Sequence, residues 1–203
     1  MALSLREYRA RIRSVESTKK ITRAMELIAA SRIIKAQQRA QQAAPYAREL
    51  TRAVSALVTY SNVDHPLTTE PESADRAAIL IVTSDRGLAG AYSSSVLKEG
   101  ERLAERLRGE DKEVVTYLTG RKGEAYFRFR GRPVAKSWSG FSDQPRYENA
   151  KEIGEALIEA FISDKDTEGH VDEVHLVYTQ FVSAMVRKVV REPFLPIVPK
   201  PAP

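Results

Sequence analysis

Residues 3–60 read LSLREYRARIRSVESTKKITRAMELIAASRIIKAQQRAQQAAPYARELTRAVSALVTY, and this stretch decides the fold. It is a run of helix formers without Gly, interrupted by a single Pro at position 45. Counted in heptads, an apolar seam passes through Leu5, Tyr8, Ile12 and Val15 and turns polar at Lys19, Thr22 and Glu26. It resumes through Ala29, Ile33, Ala36, Ala40, Ala43, Ala47, Leu50, Val54 and Leu57. Over the polar section the apolar face moves sideways onto Ile21, Met25 and Ile28, so different lengths of one helix are predicted to face different neighbours. Pro45 predicts a kink, or a break between two helices. At 1.5 Å per residue the part before Pro45 alone is on the order of 65 Å long, and such a helix needs a partner. The alanines of the seam would let a second backbone come close; a composition chosen for helix propensity alone is the plainer reading.

The charge of this stretch is as uneven as its seam. Residues 1–60 hold 12 Lys and Arg against 4 Asp and Glu, whereas the remainder of the chain holds 20 against 23. The net charge of +5 is therefore a property of the helix. A solvated helical face and an acidic partner or phosphate backbone are both compatible with it.

Composition bounds the rest. The chain has 203 residues, 42% hydrophobic and 29% charged, enough for one globular domain and an extension. It has no Cys, which excludes disulfides and thiolate metal sites. His65, His170 and His175 show no ligand spacing, so neither a zinc site nor any other cofactor is expected. No apolar run is long enough to span a bilayer, so membrane association is expected only through partner subunits. Met1 leads directly into the helix without a signal or transit pattern, which predicts a cytoplasmic bacterial product.

Downstream, Ser61 to Asp75 is loop chemistry, with Asn62, Asp64, Pro66, Pro71 and Ser73. Ala77 to Thr83 is a short continuous apolar run of the kind found in a buried parallel strand. Tyr92 to Leu107 predicts an amphipathic helix stopped by Gly109. Val114–Leu118, Arg121–Arg130 and Pro133–Trp138 continue as strand, helix and strand. Tyr147 to Ser163 predicts a helix with Ile153, Leu157, Phe161 and Ile162 inward, followed by strands at Glu173–Gln180 and Met185–Val190. The prolines at 193, 196, 199, 201 and 203 rule out helix or an inner strand at the end. The expected fold is α/β: a long amino-terminal helix over 1–60, a linker over 61–75, a Rossmann-like, doubly wound and mostly parallel sheet domain over 76–192, and a proline-rich tail over 193–203.

Three motifs bear on function. Ser84-Asp85-Arg86-Gly87-Leu88-Ala89-Gly90 lies between a strand and a helix, where a glycine loop can present backbone N–H groups to phosphate. It has two glycines, outside the dinucleotide spacing, and no Lys-Ser/Thr end, so the glycines read as needed for a tight turn and a close helix-to-sheet approach. Asp85 and Arg86 could form a surface pair or a partner contact. Arg121, Lys122, Arg128, Arg130 and Arg132, interleaved with Tyr126, Phe127 and Phe129, have the composition of a nucleic-acid surface. At helical spacing the aromatics read more simply as core and the cations as the wet face. No carboxylate pair, Ser-His-Asp order or nucleophile elbow is evident. A nucleotide-binding α/β enzyme and a nucleic-acid-binding protein remain the alternatives at this point.

Leu5-Arg6-Glu7-Tyr8-Arg9-Ala10-Arg11-Ile12-Arg13-Ser14-Val15, followed by the run from Thr18-Lys19-Lys20-Ile21-Thr22-Arg23 through Ala24-Met25-Glu26-Leu27-Ile28 to Ser31, closely resembles the start of the gamma subunit of bacterial F-type ATP synthases. Ser84-Asp85-Arg86-Gly87-Leu88-Ala89-Gly90 resembles that family's turn after the first strand of its middle domain, with Ala89 where a small residue, often Cys, is expected. Tyr178-Thr179-Gln180-Phe181-Val182-Ser183 is similar to its late central strand.

The resemblance implies a non-catalytic rotary shaft of a proton-translocating synthase. The amino-terminal helix would be half of an antiparallel coiled coil in the bore of a ring of alpha and beta subunits. The middle domain would meet the epsilon subunit and the membrane c-ring, on the cytoplasmic face of the cell membrane, with no nucleic acid involved. Lys19, Lys20, Thr22, Arg23, Met25 and Glu26 would contact the alpha and beta ring, and Ser84, Asp85, Arg86, Gly87 and Gly90 would form the turn of the middle domain. The family's second long helix follows its middle domain, whereas this sequence stops at Pro203, so half of the coiled coil is expected to be missing.

Overall fold

The structure, a computed structural model, describes residues 4–60, 65–69, 71, 73–183 and 186–197. Leu3, residues 61–64, Met185, and Pro199, Pro201 and Pro203, to which the readings above extend, lie outside the described residues. The chain divides into two compact units, Met1–Ser61 and Asn62–Pro203.

The first unit is α1, Leu5–Tyr60, a single helix of 56 residues and about 84 Å. Its start is fixed by a capping box: the Ser4 N–H donates to Glu7 Oε2 at 2.7 Å and the Glu7 N–H to Ser4 Oγ at 3.4 Å. The break expected at Pro45 is absent, and the helix runs through it. The proline removes one N–H, which orphans the carbonyl four residues earlier. Both Gln41 and Pro45 are exposed, so water can satisfy that carbonyl.

The second unit holds β1 (Arg76–Val82), α2 (Tyr92–Gly109), β2 (Glu113–Thr119), α3 (Arg121–Phe129), β3 (Lys136–Trp138), α4 (Tyr147–Ile162), β4 (Glu173–Phe181) and β5 (Arg187–Leu195). The sheet order is β3-β2-β1-β4-β5, parallel throughout except for the antiparallel β4–β5 pair. β1 is apolar along its length because it is covered on both faces. Ala77, Ile79 and Ile81 pack with Val96, Leu103 and Leu107 of α2 and Phe127 of α3. Ala78 and Leu80 pack on the other face with Leu157 and Phe161 of α4, Trp138 and Leu195. The doubly wound architecture read from the sequence is therefore the one observed.

Local readings need four corrections. Gly109 does not stop α2; Asp111 does, in the left-handed region at φ 61, with the Asp111 N–H donating to the Arg108 carbonyl and the Lys112 N–H to that of Leu107. α3 ends in the same way at Gly131, through Gly131 N–H to Arg128 and Arg132 N–H to Phe127. Second, β5 runs on to Leu195, so Pro193 lies inside a strand; β5 is an edge strand, where a missing donor is tolerated. Third, β3 is only three residues long. Fourth, Ile162 and Phe129, both expected inside, are 54% and 91% exposed.

Candidate functional site

Two features stand out, one on each unit. On the first, no residue of α1 is buried, and its apolar residues, from Leu5 at 76% exposure through Ile12, Ile21, Ile28 and Ile33 to Leu57, are open along the whole helix. A helix with this much uncovered apolar surface presents an interaction surface rather than a self-sufficient element. Lys19, Thr22, Arg23 and Glu26 share a face at spacings of three, four and seven, while Ile21, Met25 and Ile28 share another. Arg23 pairs with Glu26 at 2.7 Å, an exposed bond of little energetic weight. The Thr22 hydroxyl donates to the Thr18 carbonyl at 2.9 Å, which satisfies it within the helix. Lys19 and Lys20 are exposed, and Met25 is 46% exposed.

On the second unit, the loops leaving the carboxyl ends of β1, β2 and β3 are stitched together. Asp85 is the hub: it accepts the Arg121 N–H at 3.1 Å and the Ser142 N–H at 2.8 Å, while its own N–H donates to Ser142 Oγ at 2.9 Å. Partial burial acts to raise its pKa. The backbone N–H groups of Gly140, Ser142 and Arg121 and the Ser142 hydroxyl outweigh that and bring it down to about 2. Arg86 pairs with Asp143 at 2.8 Å, and Ser84 Oγ lies 2.9 Å from Ser93 Oγ. Buried Thr83 donates its hydroxyl to the Thr119 carbonyl at 2.6 Å and accepts the Gly123 N–H at 2.9 Å.

Neither glycine of the Ser84–Gly90 stretch provides the close approach expected of it. Gly90 is required for its backbone, at φ +59, and Gly87 has ordinary spacing to the Lys122 side chain. The close helix-to-sheet approach is made instead by Gly100 of α2, where a Cβ would run into the Ile81 side chain, and a loop-to-strand approach by Gly120, at φ +89, where a Cβ would run into the Thr83 carbonyl. The sequence signal for it is position: Gly120 separates a strand from a helix, as the Gly87–Gly90 loop does after β1.

A carboxylate held charged at this edge opposes a phosphate there, which counts against the nucleotide-site reading of the glycine loop. Its folded pKa lies below the ordinary value of 3.8, so Asp85 stabilises the fold above about pH 4, and the contribution is lost as the pH falls toward 2. Partial exposure reduces it to about 1–2 kcal/mol. Unfolding free energies of the parent chain from urea titration should fall over that window by this amount more than those of Asp85→Asn; equal falls would show that Asp85 is not a structural hub.

Elsewhere, Asp172 accepts the Asp75 and Arg76 N–H groups at 2.9 Å each and lies 3.2 Å from His170 Nε2, tying the segment before β4 to the start of β1. Burial acts to raise its pKa, but these hydrogen bonds and the His170 ring hold it below the ordinary range. Among the described residues no group of His, Cys, Asp and Glu has the arrangement of a metal site, and no helix is long and apolar enough to cross a membrane.

A doubly wound domain whose carboxyl-edge loops are tied together through Asp85, together with one long helix of which no residue is buried, defines a class of protein: an α/β domain that carries a long exposed helix. The particular family follows from comparison with known proteins: the profile of the family described as ATP synthase matches residues 4–202, and the chain belongs to that family, among its gamma chains. It is 72% identical over 197 residues to the ATP synthase gamma chain of Nocardioides sp. (strain ATCC BAA-499 / JS614), and 59% identical over 197 residues to that of Acidothermus cellulolyticus. Each match covers 97% of this chain and 65% of the relative, so the chain spans about two-thirds of the length of these proteins. The fold is shared with a chain from the central stalk and c-ring of the Tetrahymena thermophila mitochondrial ATP synthase, at TM-score 0.63 and 23% identity, covering 87% of this chain and 72% of that one. A chain of the Euglena gracilis mitochondrial ATP synthase rotor gives 0.58 at 11% identity, covering 94% and 62%.

Proposed function

We propose that this chain is the amino-terminal helix and α/β domain of a central-stalk, or rotor, subunit of an ATP synthase, without an active site of its own. The observation that carries this reading is α1: 56 residues of helix with exposed apolar residues from Leu5 to Leu57 and no residue buried, in a chain similar to ATP synthase gamma chains. A helix of this kind draws most of its stability from packing partners that cover its apolar seam.

Its natural cover is a second, antiparallel helix on the alanine-rich seam, with a ring of alpha and beta subunits around the pair. Lys19, Lys20, Thr22, Arg23, Met25 and Glu26 form the ring-facing section, since a polar interval in an otherwise apolar seam fits a surrounding polar wall better than a paired helix. Turning of the shaft would bias the catalytic sites in sequence by contacting their open and closed states differently. The α/β domain would meet the epsilon subunit and the membrane c-ring, placing the chain at the cytoplasmic face of the membrane as a peripheral component held by its partners. The Ser84–Gly90 turn serves this domain as scaffold, through Asp85.

Co-assembly is the test. Alpha and beta subunits mixed with this chain and a separate polypeptide carrying the family's second helix should give one complex on gel filtration, with ATPase activity that depends on the chain. Alpha and beta subunits that elute apart from it would sink the proposal.

A further inference from the structure

The α/β unit has an uneven surface that the shaft reading leaves unused. Residues 61–203 are acidic in balance, with 20 Lys and Arg against 23 Asp and Glu, yet residues 121–132 hold five cations and one carboxylate. Arg130 and Arg132 are committed: they lie 3.6 and 2.6 Å from Glu101, and Arg130 stacks over the Tyr126 ring at 4.6 Å. Arg121, Lys122 and Arg128 are exposed, and among the described residues no carboxylate pairs with them.

Their placement around α3 is informative. Gly123 and Phe127 face the sheet and are buried, so the opposite face is centred on Ala125 and Phe129. Arg121 and Arg128 flank that centre on one side and Lys122 on the other. Phe129 stands there 91% exposed, on a helix held rigidly by Phe127 in the core and by the Gly123 N–H bond to Thr83. An apolar centre flanked by cations on both sides is the pattern of an interfacial anchor: the long side chains reach the headgroup phosphates while the ring enters the layer beneath them. Nucleic acid would use the cations but has no need of an apolar side chain at their centre.

We propose that the outer face of α3, with Phe129 at its centre and Arg121, Lys122 and Arg128 around it, binds an anionic lipid surface. This contact is separate from the assembly surface on α1, and either can fail without the other.

Because α1 is also basic and apolar, vesicle binding by the whole chain does not test the proposal; a reporter on α3 does. The chain has no cysteine, so Ala125→Cys gives a unique labelling site. With an environment-sensitive fluorophore at 125, vesicles of phosphatidylcholine containing about one-third phosphatidylglycerol should shift its emission to the blue, and nitroxide-labelled acyl chains should quench it. Vesicles of phosphatidylcholine alone should do neither. Adding Phe129→Glu, or Arg121→Glu with Arg128→Glu, should reduce the quenching about tenfold. The same label at Lys151→Cys, on α4 across the sheet, should stay as in water. Three results would overturn the proposal: an unshifted label at 125 on chains that sediment with anionic vesicles, equal quenching at 125 and 151, or an equal shift on adding polyglutamate or duplex DNA without lipid.

Discussion

A chain with Lys19, Lys20 and Arg23 all replaced by Glu is expected to assemble with alpha and beta subunits at least about a hundredfold more weakly than the parent, while its α/β domain unfolds at the same urea concentration. The weakening follows from the sign of the helix: α1 lies within a stretch carrying 12 cations against 4 carboxylates, and all three positions are exposed. On the proposed function these cations face the ring, and reversing three of them reverses the sign of their interaction with it. About 1 kcal/mol for each, on the low side for charge pairs across an interface, already gives two orders of magnitude. Domain stability is unaffected because none of the three residues contributes to the sheet's two core clusters. Assembly that survives the triple change would remove this section of α1 from the ring interface.

The second large effect is expected at Gly120. Replacement by Ala should destabilise the α/β unit by about 3 kcal/mol or more, since a left-handed conformation costs an L-residue about 1–2 kcal/mol before any clash is counted. Here the added Cβ meets the Thr83 backbone carbonyl, which cannot swing aside as a side chain can. Moving it would disturb the Thr83 N–H bond to the Thr119 carbonyl and the Gly120 N–H bond to the Trp138 carbonyl, so β1, β2 and β3 are all involved. In a domain of ordinary stability that is a large fraction of the total. Gly109→Ala is the matched control: nothing lies within 4 Å of its added Cβ and its backbone is helical, so it should be neutral or slightly stabilising. Equal urea midpoints for the two variants would contradict the packing described around Gly120.

These two sites show how far the sequence could be read. The strands and helices of the α/β unit follow from local pattern: the apolar run Ala77 to Thr83 reads as a buried parallel strand, and the spacing of Val96, Leu103 and Leu107 as a helix. What depends on neighbours was less legible. Asp111 rather than Gly109 takes the left-handed position, two residues before β2 begins at Glu113, whereas a residue-type rule favours the glycine. Gly120 matters because three loops converge on it, which no window of sequence contains. Asp85 reads as a surface acid until the Arg121 and Ser142 N–H groups are seen to point at it. Phe129 lies in the same helix as Phe127, but two residues are about 200° of rotation, enough to place one ring in the core and the other in solvent. For α1 length, seam and polar interval are legible, whereas what covers the helix is not written in its own residues.

The central claim is that α1 depends on a further helix for its cover while the α/β domain is stable without one, and amide hydrogen exchange tests it most directly. In the chain alone, residues 5–40 of α1 should exchange fast, or be slowed only through a concentration-dependent self-association, while Ile79–Val82 and Val174–Tyr178 stay protected. Covering each seam side chain is worth roughly 1.5 to 3 kcal/mol, so an added antiparallel helix of the family's second-helix sequence should slow exchange along α1, reduce any self-association, and leave the strands unchanged. A monomer whose α1 is already as protected as β1 and β4, and does not respond to that helix, would contradict the account.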